Sequence, residues 1–385
     1  MDFDLSTILL GLPVAFVLGW IASRFDLRQL RMENRQAPKA YFKGLNFLLN
    51  EQQDQAIDAF IEAVQNDPDT SELHFALGNL FRRRGEYERA VRVHEHLLSR
   101  GDLNQSDRQR AQHALALDFL KAGLLDRAET ALRKLDNTPF ESQAQLALLA
   151  MYERSREWPQ AAGVARRLEQ LGEASFAGRL AHYLCEQATA LTAAGDLAAA
   201  QRLLEQAIHD APQSPRPRLQ LAGLLSAQGQ HAQALKELIA LAELTPLALP
   251  LAAPLLAQTA LACAQAPQAL ALLRAHYGQA PSLDVMEAII SLETALSGNA
   301  SAARDGYIEH LEHEPSLIAA ARWIAGEKLE HEQFHPQVQR ALERAVKPLS
   351  RYRCAACGFE ASEHHWQCLG CQAWDSTPPR RVEEL

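Results

Sequence analysis

The chain has 385 residues, 48% of them hydrophobic and only 6% aromatic, with a formal charge of −9. That acidic balance excludes a general nucleic-acid binder, which needs basic faces to displace counterions from phosphate. The apolar excess is Ala and Leu, as stacked helices require, so one long helical array is expected rather than several globular domains. The six cysteines make no disulfide framework for this length, and four of them fall within eighteen residues near the C-terminus, which points to metal in a reducing compartment.

From Leu5 to Ser23 there are nineteen residues without a charge. Leu5, Ile8, Leu9, Leu10, Val14, Phe16, Val17, Leu18, Trp20 and Ile21 predict an apolar helix that nearly crosses the hydrocarbon core at about 1.5 Å per residue. Gly11 and Pro13 are tolerable in such a helix, and Trp20 lies near one end, where indole favours the interface. Asp2 and Asp4 precede the run; Arg24, Arg28, Arg31, Arg35 and Lys39 follow it. The positive-inside rule then puts the N-terminus outside and the rest of the chain in the cytoplasm. A cleaved signal peptide would want basic residues before the run, and here they are acidic. The signal peptide stays the first alternative to a retained anchor, and a buried hairpin helix of a soluble protein comes last. Residues 1–23 are read as an anchor and 24–36 as a basic stalk, its cations facing lipid headgroups or merely solvent.

Repeats are expected over residues 37–315. The clearest, Ser71 to Asp102, carries Phe75, Leu77, Gly78 and Phe81, then Tyr87, Ala90, His94 and Leu97 at helical spacing, with Gly85 breaking the pattern. Two helices and a tight turn follow from it. Aligning on the small residue of the second helix gives Ala56, Ala90, Ala128, Ala161, Ala200, Ala234, Ala269 and Ala303, at intervals of 34, 38, 33, 39, 34, 35 and 34 residues. Gly85, Gly123, Gly195, Gly229 and Gly298 sit five residues before that alanine, while the fourth and seventh copies have Arg156 and Ala264 there. Pro68, Pro212, Pro246, Pro281 and Pro315 stop helices between copies. This unit resembles the tetratricopeptide (TPR) repeat, which implies an all-α solenoid of about eight repeats; an irregular helical bundle is the alternative. First helices line the concave side of such arrays, so Phe75, Asn79, Arg82 and Arg83, with His113, Leu117 and Lys121 in the next copy, are candidate partner contacts for an acidic or C-terminal peptide, or else a solvated face.

Residues 316–346 continue as helix and could cap the open end of the array through Ile318, Ala321, Trp323 and Ile324. Cys185 and Cys263, beside Ala and Leu on predicted helices, read as small hydrophobes. His310, His313, His331 and His335 lack paired cysteines or carboxylates at fixed spacing and read as surface or packing histidines.

The chemistry is concentrated between Tyr352 and Trp374, within a metal module placed at 347–376 and followed by a flexible tail, 377–385. Cys354 and Cys357 form one C-x-x-C pair, Cys368 and Cys371 another. Each pair lets one tight turn bring two sulfurs to one ion, and two turns make a tetrahedral site for zinc or iron. Gly358 and Gly370 free the backbone to aim N–H groups at the sulfurs. Four thiolates close the coordination sphere, so the ion is structural, and metal binding contributes on the order of 10 kcal/mol to folding so short a segment. Tyr352, Phe359, Trp366 and Trp374 exceed what shielding the ion needs, so the module is expected to fold back onto the repeats.

Each half of this segment looks like a rubredoxin knuckle, although the interval between pairs is shorter and Leu369 stands where rubredoxins have proline. Anchor, stalk, repeats and knuckle together resemble the lipopolysaccharide assembly protein B family of Gram-negative bacteria, most specifically through Trp366, Trp374, Pro379 and Arg381 around the second cysteine pair. The resemblance implies an inner-membrane regulator of lipopolysaccharide synthesis. Such adaptors present the deacetylase of the committed lipid A step (LpxC) to a membrane-bound ATP-dependent metalloprotease (FtsH). Phosphate-cradling, nucleophile-elbow and H-E-x-x-H motifs are absent, so a non-enzymatic scaffold with no small-molecule substrate is expected. The rivals are a redox-active rubredoxin-like iron protein and a periplasmic assembly factor.

Overall fold

The computed structural model describes residues 16, 17, 20, 42–66, 70–298, 301–327 and 335–385. The anchor expected over 1–23 lies outside them except for Phe16, Val17 and Trp20, which are helical and exposed. The stalk, Pro68 and His331 also lie outside. Among the described residues no single helix is long and apolar enough to cross a membrane.

The chain forms two compact units that divide at Ser155 and Arg156. The first holds residues 42–49 (α1), then α2 (Gln53–Asn66), α3 (Ser71–Arg84), α4 (Tyr87–Ser99), α5 (Gln105–Ala122), α6 (Leu125–Arg133) and α7 (Glu141–Ser155). The second holds α8 (Trp158–Gln170), α9 (Ala177–Ala193), α10 (Leu197–Asp210), α11 (Pro215–Ala227), α12 (His231–Leu244), α13 (Leu249–Ala262), α14 (Ala266–Tyr277), α15 (Leu283–Ser297) and α16 (Ser301–His313), then α17 (Leu317–Gly326) and α18 (His335–Val346). The single capping helix expected over 316–346 is thus divided between α17 and α18.

The period seen in the sequence is a packing period. Ala56, Ala90, Ala128, Ala200 and Ala234 are fully buried, because only a methyl group fits where the second helix of a pair crosses the first. The facing position is small for the same reason: a Cβ on Gly78 would come within 2.5 Å of the His94 ring. In the last copy the close approach has moved from Ala303 to Gly306, where a Cβ would meet Ile290 at 2.5 Å.

Among the described residues one turn recurs between paired helices. Gly85 has φ +86°, its N–H donates to the Arg82 carbonyl and the Glu86 N–H to the Phe81 carbonyl, a Schellman closure. Arg156 (φ 59°) and Ala264 (φ 58°), at the turns of the two copies that lack glycine, adopt the same left-handed backbone, and so does Glu51 (φ 59°) in the first. The fold therefore imposes this conformation on residues that resist it.

In the first unit Phe60, Leu73, Leu77, Leu80 and Phe81 form the core between α1 and α4. In the second, one continuous core runs from Cys185 to Leu292. Cys185 is fully buried, and burial pushes its thiol up to about 12, which makes it inert as expected. His310 is also buried, its Nδ1 2.7 Å from the Tyr277 hydroxyl, so it is a packing histidine.

Candidate metal centre and its seat on the repeats

Two short strands open the metal module: β1 (Tyr352–Arg353) pairs antiparallel with β2 (Glu360–Ala361), Tyr352 opposite Ala361. The first knuckle lies between them. Gly358, with φ +77°, donates to the Cys354 carbonyl at 2.9 Å, and Cys354 N–H donates to the Phe359 carbonyl at 2.8 Å. The second knuckle repeats this, with Gln372 donating to the Cys368 carbonyl at 2.8 Å and Cys368 to the Ala373 carbonyl at 2.9 Å. Here the left-handed residue is Gln372 (φ 61°) rather than a glycine. Gly370 does donate its N–H to the Cys368 sulfur at 3.3 Å, but it is small because a Cβ would press within 3.2 Å of Phe359.

The four sulfurs lie within 4.8 Å of one another, with Cys354–Cys371 at 3.8 Å and Cys357–Cys368 at 3.7 Å. A tetrahedron with metal–sulfur bonds of about 2.3 Å has edges of about 3.8 Å, so the cradle fits a zinc-sized ion. The electrostatics agree. The Ser376 hydroxyl, 3.3 Å from Cys354, pulls that thiol down to about 6. The Phe359 backbone favours the Cys357 thiolate, yet burial and the three neighbouring thiols push it up to about 12. Four sulfurs this close become four thiolates only around a cation. Cys354 and Cys368 are buried while Cys357 and Cys371 face solvent, so the ion sits at the module surface.

The module is seated on the second unit by aromatic and charged contacts. The Trp374 indole stacks on the His182 ring at 4.6 Å and meets Trp158 and Tyr183 edge-on at 5.9 and 6.0 Å. Arg216 can only donate, so its N–H to His182 Nδ1 (3.4 Å) leaves the proton on Nε2, which donates to Asp375 at 2.9 Å. Glu186 accepts from Arg216 at 2.6 Å and completes the chain. Tyr352 lies beneath the Arg381 guanidinium at 4.5 Å, and burial pushes its hydroxyl up to about 12, which keeps it neutral. Trp366 meets His364 edge-on at 4.7 Å; Phe359, by contrast, is exposed.

Residues 377–385, expected as a flexible tail, are held in place. Arg381 donates twice to Asp284, at 3.0 and 2.9 Å. Glu383 accepts from the Leu317 and Ile318 N–H groups at the start of α17, and Glu384 from Leu283 at the start of α15. Adjacent carboxylates satisfy orphan donors and oppose the positive end of two helix dipoles, which is the physical reason the segment is fixed.

The candidate contacts in the first unit separate on inspection. Phe75 is buried, packed with Leu97, Leu103 and Ala111 beneath Arg110, so it is core and not a partner contact. Arg82 donates to Asp118 at 2.8 Å and to the Ala114 carbonyl at 3.1 Å, and Asp118 also accepts from His94 at 2.5 Å. Asp118 and His94 are fully buried, so Arg82 ties adjacent repeats together; Asn79 accepts from it. His113 stacks on Phe140 at 5.3 Å and Leu117 is half-buried. Arg83 and Lys121 are exposed. Sequence reasoning missed Asp118, His182, Arg216 and Asp375. An Asp amid the apolar run of α5 was the one available signal.

Residues 73–109 and 191–259 match models of the tetratricopeptide repeat, and 352–378 match the rubredoxin metal binding domain. Lipopolysaccharide assembly protein B of Escherichia coli strain K12 is 31% identical, over 98% of this chain and 98% of that protein. The chain belongs to the lipopolysaccharide assembly protein B family. The Haemophilus influenzae protein of that name is 28% identical over 97% of this chain and 98% of its own. A tetratricopeptide repeat protein from Parabacteroides merdae is 16% identical with a TM-score of 0.34, covering 66% of this chain and 98% of that one. Membership assigns the chain to lipopolysaccharide assembly, on a TPR scaffold whose rubredoxin-like module binds one tetrahedral metal ion.

Proposed function

We propose that the chain is a non-enzymatic adaptor, held at the inner membrane by residues 1–23 with its N-terminus outside and its repeats in the cytoplasm. It restrains lipid A synthesis by presenting the committed-step deacetylase to a membrane-bound protease. The observation that carries this reading is the seating of the metal module on the repeats through Trp374, Asp375 and Arg381. A closed four-thiolate ion that positions a docked module serves as a structural element, and membership of the family supplies the pathway. In the first unit the exposed cations Arg83 and Lys121 are assigned to partner contact.

The test is the half-life of the deacetylase in cells whose own copy has been replaced. The full chain should restore rapid turnover, whereas a form lacking residues 1–23, at equal abundance, should not. Zinc-loaded and iron-loaded chains should present the deacetylase equally well in a reconstituted degradation assay. Turnover supported only by the iron form would revive the redox reading, and full activity without the anchor would end the membrane-adaptor reading.

A further inference from the structure

The second unit holds an open cleft of about 780 Å³ between the metal module and the ends of the middle repeats. One wall is the chain leaving α10 (210–215) and α12 (244–248); the other comes from the module, through His364, Trp366 and Asp375. The lining is mostly apolar: Leu251 and Trp366 lie inside, while Leu244 and Leu247 are 42% and 75% exposed at its edge. Its ionisable side chains are Asp210, Asp375 and His364, and no lysine or arginine lines it. Asp375 gives one oxygen to His182 and is still 59% exposed, so it can accept a second donor.

We propose that this cleft binds an extended segment of a partner protein in which a lysine or arginine is flanked by apolar side chains. The argument is charge complementarity. Arg216 lies behind Asp375 through His182, but Asp210 and the exposed side of Asp375 are the charges the cleft presents, so it disfavours an acidic segment and favours a basic one, while the leucines and Trp366 take the flanking side chains. The trough is open to solvent, which suits a chain whose ends continue outward, and its volume falls in the range of specific ligand sites. His364 and Trp366 lie between the two cysteine pairs and Asp375 follows them, so the metal ion holds one wall in place. Binding is therefore metal-dependent although no ligand touches the ion. The biological identity of the partner rests on the adaptor reading, but the chemistry of the cleft does not.

In the test, the zinc-loaded full chain is panned against phage-displayed random dodecapeptides, and the enriched peptides are measured by fluorescence anisotropy. Enriched sequences should carry Lys or Arg between apolar residues, and replacing that residue by Glu should weaken binding at least about tenfold. Leu247→Asp and Asp210→Lys, which alter exposed side chains outside the metal site, should each weaken it by a similar factor without changing the melting temperature. Chelating the metal should abolish binding while the helical circular dichroism persists. No enrichment above the Leu247→Asp protein, enrichment of acidic peptides, indifference to both substitutions, or full binding after chelation would each overturn the proposal. A synthetic peptide of residues 24–36 that binds tighter than every selected peptide would make the occupant this chain's own stalk, and so overturn the assignment to a partner. Anisotropy reads the cleft alone and the deacetylase half-life reads the adaptor role, so either can fail without the other.

Discussion

The repeat turns allow a test in which equivalent positions respond with opposite sign. Gly229 and Ala264 occupy the same place in successive repeats of the second unit and share a left-handed backbone, with φ of 78° and 58°. A non-glycine residue there costs roughly 1–2 kcal/mol, whereas glycine costs roughly 0.5–1 kcal/mol more than alanine in unfolded-chain entropy. The difference leaves Ala264→Gly stabilising by about 0.5–1 kcal/mol and Gly229→Ala destabilising by a similar amount. Burial does not compete, since Ala264 is exposed and nothing lies within 4 Å of where a Cβ on Gly229 would be. For a unit of this size, 1 kcal/mol corresponds to about 2–4 °C in melting temperature. Differential scanning calorimetry of the two variants and the parent chain measures it. A lower melting temperature for Ala264→Gly, or a higher one for Gly229→Ala, would refute the claim that the fold imposes this conformation on whatever residue stands there.

Arg82→Ala should destabilise the first unit by about 2–4 kcal/mol in urea unfolding, because it removes a charge partner from the fully buried Asp118, while Arg83→Ala should stay within about 0.5 kcal/mol. Acid should weaken the second unit through His310, whose value burial lowers below the ordinary 6.5. The neutral ring's contribution is fully present above pH 6.5 and is lost as pH falls through the lowered folded value, because the unfolded chain takes the proton first. The urea midpoint should therefore be flat between about pH 7 and 8 and fall below about 6, and His310→Gln should flatten that fall.

How legible the molecule was depended on the range of each interaction. The alanine period and the paired cysteines are local signals, so the array and the metal site could be read directly. Phe75 was misassigned because helical spacing marks a shared face without saying whether that face meets solvent or the next repeat. The structural role of Arg82 was hidden for a related reason: its partner Asp118 lies 36 residues on. Nothing near His182 announces Asp375, 193 residues away, and no local pattern distinguishes Arg216 from a surface arginine. The tail composition, with Pro378, Pro379 and charged residues, suggests disorder until the starts of α15 and α17 are seen to supply its hydrogen-bond donors.

Trp374 has a mechanical consequence. Helical arrays behave as springs because each repeat touches only its neighbours, so bending strain is shared out along the row. One indole touches Trp158 on α8, His182 and Tyr183 on α9, and Arg216 on α11, and it therefore spans three successive repeats. Arg381 and the two glutamates beyond it fasten the same module to α15 and α17. Any flexing between α8 and α17 must then shear the module or tear it from its seat, so this stretch of the row works as a braced beam. Pulled from its ends in a force measurement, it should yield in one step while the metal is bound and in several smaller ones once the metal is gone.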